Sequence, residues 1–461
     1  MDTFLNPNSN WTRRVRWSVF LLTVSWSGWA TAASPDIPFA EELFPELGNL
    51  MELAARDGRE LQLSALRMEE RQGDLDVTRG QRRPQVRAHA RMSGAYEMRD
   101  DIRDRFRGSV NANLGMTQPI YHWGSLERRQ SVAEERVALE EVDSNRQSER
   151  HFMDIRSTYL RWLLMQEQRK ILQQSIELSE SFVSARRQLV DVGQSSEQDV
   201  LEVEARLLEN YESLSYIESS ILAHESRLAN LVGPGFESVV IGGDPLSVIQ
   251  PMGDEAFRTL SARVRNGLQG LSHPDIQRFS MLADIETEQL AILDKENMPK
   301  VDLVAGIYSD HLDSLNNEDF VLRVQYYAGI QVNWSIFNGW QTDGYKRSAL
   351  ARKRAYALRE DIARDGFQQQ AETLLANLQL NLKQIEARGK RAAILERRQE
   401  LVREQVERNI LPAAERMEVE IDVLNVRQRL MESRVNYLIN LMELGLLMGL
   451  DPAQSYYSAK S

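Results

Sequence analysis

Residues 125–192 contain neither proline nor glycine and are rich in Glu, Arg, Gln, Leu and Ala, residues that cost a helix little. A continuous helix over that span is about 100 Å long at 1.5 Å per residue. No compact domain encloses such an element, so the rest of the chain must be laid along it. Gly193-Gln194-Ser195-Ser196 stops the run, and Ser196 with Asp199 three residues on predicts the cap of a return helix over 197–232. In that helix Val200, Leu207, Leu214, Ile221 and Leu228 recur every seven residues, the spacing of a coiled coil. Gly233-Pro234-Gly235 ends it.

The long run is entered through Gln118-Pro119-Ile120-Tyr121-His122-Trp123-Gly124. A similar junction, Trp334-Ser335-Ile336-Phe337-Asn338-Gly339-Trp340, opens a second proline-free run over about 340–408. Each junction closes a segment in which apolar and polar residues alternate. Val86, Ala88, Ala90 and Met92, then Val110, Ala112, Leu114 and Met116, alternate with polar partners in 84–121. Val301, Leu303, Ala305 and Ile307, then Tyr326, Ala328, Ile330, Val332 and Trp334, do so in 299–337. Period two predicts strands with one apolar and one polar face. The charged stretches Glu97–Arg107 and Asp310–Asp319 predict the hairpin loops. One helix is expected over 38–56. Others are expected over 59–82, stopped by Pro84, and over 273–297, stopped by Pro299.

The order of elements recurs at a fixed offset. Ile120 to Ile336, Gly193 to Asn409 and Gly233 to Gly449 are each separated by 216 positions. That predicts an internal repeat: a first unit at 33–233, with hairpin 84–121 and helix pair 124–232, and a second at 273–449, with hairpin 299–337 and helix pair 340–449. Residues 234–272 connect them at the level where the shorter helices meet, and 450–461 form a tail.

Composition narrows the class. The chain has no cysteine, which rules out disulfides and thiol chemistry. Its formal charge of −12 speaks against electrostatic binding of nucleic acid. Residues 1–32 predict a secretory signal: Arg13, Arg14 and Arg16, a short apolar core over Val19–Val24, and Ala30-Thr31-Ala32 at the cleavage site. No later stretch has the roughly 20 apolar residues of a membrane helix, so insertion in a bilayer would have to be by strands.

Four strands leave open edges that lipid does not tolerate, and the smallest membrane barrels have about eight strands. Several copies would therefore pool their strands in a closed ring, apolar residues toward lipid and Asn111, Asn113, Thr117, Gln331 and Asn333 toward water. Tyr121, Trp123, Trp334, Phe337 and Trp340 then mark the membrane interface; ordinary core packing is the other reading of these aromatics.

The two hairpins, the junctions, the tip Gly193 with Asp199 six residues later, and the 216-residue offset resemble the TolC-type outer-membrane efflux proteins over essentially the whole mature chain. The resemblance implies a mixed α/β membrane protein. It would be a homotrimer with a twelve-stranded outer-membrane β-barrel, four strands per chain, continuing into a coiled-coil periplasmic tunnel. It implies a cell outer membrane of the Gram-negative type, a periplasmic adaptor (membrane fusion protein), and an inner-membrane efflux or secretion transporter. The function implied is passage of substrates in a tripartite efflux pump or type I secretion system. It places acidic gate residues at Asp199, Glu202, Glu415 and Glu418, which also suit plain solvated helix positions, and adaptor contacts at Gly193, Ser195, Ser196, Asn409, Leu411 and Pro412. Two positions depart from the family pattern: Asn409 with Pro412 at the second tip, and His122 at the first junction.

Catalysis is not expected. The six histidines (89, 122, 151, 224, 273 and 311) lack metal-ligand spacing, and no nucleophile elbow or phosphate loop is present. No cofactor or metal is implied. The competing class is a secreted, elongated coiled-coil protein with a structural or adhesive role and no pore, which would leave the doubled hairpins unexplained.

Overall fold

The computed structural model describes residues 37–99, 102–236, 245–267, 273–313 and 320–452. Contacts divide the chain into Met1–Ile37 and Pro38–Ser461, and all the described helices and strands belong to the second unit. The signal expected at 1–32, the Gly242-Gly243-Asp244 turn and residues 453–461 lie outside the described residues.

The described elements run α1 (Ala40–Leu43), α2 (Pro45–Asp57), α3 (Arg59–Gly80), β1 (Gln85–Arg99), β2 (Ile102–Tyr121), α4 (Ser125–Asp191) and α5 (Glu197–Val232). After a 3-10 turn at Pro245–Val248 come α6 (Asp254–Gly267), α7 (Pro274–Asp294), β3 (Lys300–Asp313), β4 (Phe320–Asn333), α8 (Gln341–Glu407) and α9 (Ala413–Leu447). Helices α4 and α8 are 67 residues each, about 100 Å of helix. Among the described residues no helix is long and apolar enough to cross a membrane.

Two expectations need correction. The single helix over 38–56 is two, because Phe44 is extended and Pro45 starts α2 at its first turn, where a proline lacks no needed N–H. The loop expected at 97–107 is largely strand, with Glu97 paired to Arg105 and Ala95 to Arg107. Likewise β3 runs on to Asp313, paired with Phe320. Charge marked these stretches as loop, but a ladder is built from backbone groups that a charged side chain does not remove.

Helix α4 is flanked by α3 and α7 along its first half, where Arg71 meets Glu140 and Arg278 meets Asp143. Along its second half it is flanked by α5 and α9, and Phe182 and Val183 pack with Val203 and Ala414. Helix α8 packs on α7 and then on α9. At the middle of α4, Phe152, Ile155, Tyr159, Leu160 and Leu163 are buried, as are Phe44, Leu47 and Met51 near the start of the unit and Tyr437, Leu438 and Met442 on α9. The Phe44 and Tyr159 rings pack at a 60° tilt with centres 6.1 Å apart, and the Met252 N–H donates to the Tyr437 hydroxyl at 3.1 Å. Each such buried apolar side chain is worth about 1.5–3 kcal/mol.

The strands form one antiparallel sheet in the order β1-β2-β3-β4. Its register collects the alternation of all four strands onto two faces. One row reads Val86–Met116–Ala305–Ala328 and the next Ala88–Leu114–Ile307–Tyr326. The opposite face carries His89–Asn113–Tyr308–Gln325. There Tyr327 lies across Gly306 and Gly115: a Cβ on Gly306 would stand 2.7 Å from the Tyr327 hydroxyl, and one on Gly115 3.0 Å. The glycines give the ring its seat. Strands β1 and β4 each have one partner in this sheet and present a free edge.

Candidate functional sites: strand–helix junctions and helix tips

At both junctions the strand becomes a helix through two consecutive residues in the left-handed region. They are Trp123 (φ 58°) and Gly124 (φ 75°) in the first, and Gly339 (φ 65°) and Trp340 (φ 66°) in the second. The order of Trp and Gly is reversed between positions 216 apart. A bulky side chain is strained in this region, so something must hold it. The Trp123 indole N–H donates to the Pro299 carbonyl at 2.9 Å. Next to it, His122 Nε2 lies 2.8 Å from Asp302 Oδ1, both side chains largely buried, and Asn333 donates to the other Asp302 oxygen at 3.3 Å. The first junction is thus tied to both strands of the second hairpin. His122 has its carboxylate partner on the neighbouring strand β3.

The second junction is tied differently. Asn338 donates to Thr342 Oγ1 at 2.6 Å, Thr342 donates to Asn297 Oδ1 at 3.3 Å, and the Trp334 indole donates to the Asn297 carbonyl at 3.0 Å. Tyr121 packs on Trp123 at 5.0 Å and Phe337 on Trp340 at 5.9 Å. Tyr121, Trp123, Trp334, Phe337, Trp340 and Ile336 are all exposed in the single chain. They lie at one end of the sheet and form no core of their own.

The tips repeat one backbone device. After α4, the Gly193 N–H donates to Val190 O at 2.9 Å and the Gln194 N–H to Leu189 O at 2.8 Å. After α8, Asn409 donates to Val406 O at 2.9 Å and Ile410 to Gln405 O at 2.8 Å. Both are Schellman turns. Asn409 takes φ 56° where Gly193 takes 73°, and Asn is the side chain that tolerates this best after Gly. The return helices start differently. Ser196 and Asp199 form a reciprocal capping box, and Ser195 also donates to Asp199 at 2.9 Å. Pro412 has no side-chain cap to offer α9.

Of the four expected gate carboxylates, Asp199, Glu202 and Glu418 line one cleft of about 260 Å³, with Phe182, Arg186, Val203 and Arg206. Glu415 is not among its lining residues. The two arginines are what sequence reading missed. Arg206 pairs with Glu202 at 2.5 Å, and Arg186 stacks over Phe182 at 5.1 Å. Asp199 is held below the ordinary carboxylate range, first by the Ser196 backbone N–H, then by the Ser195 and Ser196 hydroxyls, with a smaller pull from Arg186. The i,i+4 spacing of Phe182 and Arg186 was a local signal; their position under α9 was not. Among the described residues no His, Asp or Glu side chains group as a metal ion would require.

A four-stranded antiparallel sheet running through paired junctions into 67-residue helices is the fold of this chain, and it is shared with solved outer-membrane channels. The Campylobacter jejuni CmeC outer membrane channel superposes with a TM-score of 0.71 at 13% identity, over 99% of this chain and 97% of that one. The Neisseria gonorrhoeae MtrE outer membrane channel does so at 0.69 and 15%, over 88% and 89%. The outer membrane protein VceC of Vibrio cholerae does so at 0.66 and 16%, over 88% and 97%. Residues 50–234 match the family model described as outer membrane efflux protein. The resemblance read from the junctions and tips is to this same family. No curated protein sequence matches the chain.

Proposed function

We propose that this chain is an outer-membrane efflux channel, with its strands in the bilayer and its helices reaching into the periplasm. The observation that carries the reading is the two-faced sheet with free edges at β1 and β4, continuous with helices too long for any compact domain. An open edge is not viable in lipid, and β4 of one copy beside β1 of the next is antiparallel, so copies close head to tail into a barrel. Three copies give the twelve strands implied by the family likeness. The aromatic residues of the junctions would then hold the depth of insertion, and the polar face would line water.

In this reading the channel is passive and contains no catalytic step. The tips at Gly193–Ser196 and Asn409–Pro412 meet a periplasmic adaptor, and through it an inner-membrane efflux or secretion transporter. Crosslinking from Ser195 and Leu411 identifies that adaptor. The reading as a whole is tested by fractionation and conductance. The protein is expected in the outer-membrane fraction, and the purified oligomer in a planar bilayer is expected to pass small cation-preferring currents. Recovery as a soluble species without conductance would overturn it in favour of a poreless coiled-coil protein.

A further inference from the structure

We propose that α5 of one copy and α8 of the next form an antiparallel zipper in one definite register: Leu201 with Leu401, Leu208 with Ile394, Ser215 with Ala387, and Leu222 with Leu380. The proposal rests on the head-to-tail assembly and adds to it the seam between helices.

The first observation is exposure. On α5, Leu201, Leu208 and Leu222 are 60%, 68% and 66% exposed. On α8, Leu380, Ile394 and Leu401 are 53%, 69% and 46% exposed. Both sets keep a seven-residue spacing, with Ser215 and Ala387, also exposed, at the intervening steps. On α5 this stripe is separate from the buried one, Val200, Ile221 and Leu228, that faces α4. A seven-residue apolar stripe left in water is the unfinished half of a coiled coil.

The second observation identifies the occupant. Shifting by 216 carries α3, α4 and α5 onto α7, α8 and α9. The contacts α3 with α4, α4 with α5 and β1 with β2 then have counterparts in α7 with α8, α8 with α9 and β3 with β4. The contacts α4 with α9 and β2 with β3 are present too. Their shifted counterparts, α8 with α5 and β4 with β1, belong to opposite edges of the chain and are made only by a second copy.

The register comes from the contact inside the chain. Shifted by 216, Leu380 and Ala387 correspond to Leu164 and Ile171 of α4, which are buried at 5% and 9%. Leu222 corresponds to Leu438 of α9, buried at 1%. Leu201 corresponds to Met417, which packs against the cluster containing Phe182. Phe182 corresponds to Arg398, one turn from Leu401, so Leu201 falls level with the start of the α8 stripe. Each seven-residue step up α5 is then matched by one down α8, and the remaining pairs follow. Ser215 and Ala387 make the one small pair, where the helices approach most closely.

Because the chain has no cysteine, introduced pairs report without background. In outer membranes containing the full-length chain, Leu208→Cys with Ile394→Cys is expected to link copies on oxidation or with a short bismaleimide. The monomer band should shift to multiples of the chain mass. The pair Leu208→Cys with Leu380→Cys, about 21 Å out of register, is expected to stay unlinked. Particle mass in detergent is measured on the same samples. An intact oligomer whose in-register pair links no better than the out-of-register pair overturns the seam alone. A monomeric particle overturns the assembly reading and the seam with it.

Discussion

Arg156 and Asp451, 295 positions apart, form a doubly hydrogen-bonded pair with both side chains wholly buried: Nη1 to Oδ2 at 2.9 Å and Nη2 to Oδ1 at 2.8 Å. Glu41 takes the other side of the same guanidinium at 2.8 and 2.5 Å, and the Phe39 ring lies 4.9 Å from it. Burial works against the charge, but the two carboxylates outweigh it and hold Arg156 above its ordinary value. This one residue clasps α1 and the segment after α9 to the middle of α4.

Arg156→Leu would take the guanidinium away from two buried carboxylates, Glu41 and Asp451. The expected cost is about 3–5 kcal/mol, read as a lowered unfolding midpoint of the purified protein. Adding Glu41→Gln and Asp451→Asn is expected to recover much of it, because the penalty lies in burying carboxylate charge without the guanidinium. A single variant that unfolds like the parent would show that the clasp holds nothing.

At the second tip, Asn409 carries the left-handed turn that Gly193 carries at the first. Asn409→Gly is expected to be neutral or slightly stabilising, and Asn409→Ala to cost about 1 kcal/mol. Amide exchange at Ile410, whose N–H donates to Gln405 O at 2.8 Å, reads the difference. Equal protection in the two variants would show that the turn does not depend on the residue.

Among the tip carboxylates, Glu202 is paired with Arg206, Asp199 is committed to the α5 cap, and Glu415 is absent from the cleft lining. Glu418→Gln is therefore expected to reduce cation preference in a planar bilayer more than Glu415→Gln does. Reversal potentials under a salt gradient measure it, and the opposite ranking would remove the cleft from the conduction path.

His151, His224 and His273 are all pushed below the ordinary histidine value, in each case chiefly by burial. Such a group takes up a proton less readily in the fold than when unfolded. Stability therefore falls as the pH drops below the unfolded value of about 6.5. His151 contributes through its seat beside Phe152 and Gly58. In His151→Gln the decline of the unfolding midpoint between about pH 7 and 5 is expected to be shallower than in the parent. An unchanged slope would assign the acid sensitivity elsewhere.

The four strands, the two long helices, the stop at Gly193 and the Ser196–Asp199 cap were all legible from residue order. Alternation, proline placement and capping are read within a few residues of chain, and the backbone obeys them locally. Strand ends were not legible, because the charges at Glu97 to Arg107 have the composition of a loop while the backbone stays paired. Tertiary structure alone decided the pairing of His122 with Asp302, the Arg156 clasp, the arginines among the tip carboxylates, and which leucines of α5 and α8 remain uncovered. Each of these depends on which faces of distant helices and strands meet, and distant contacts leave no period or spacing in a single sequence.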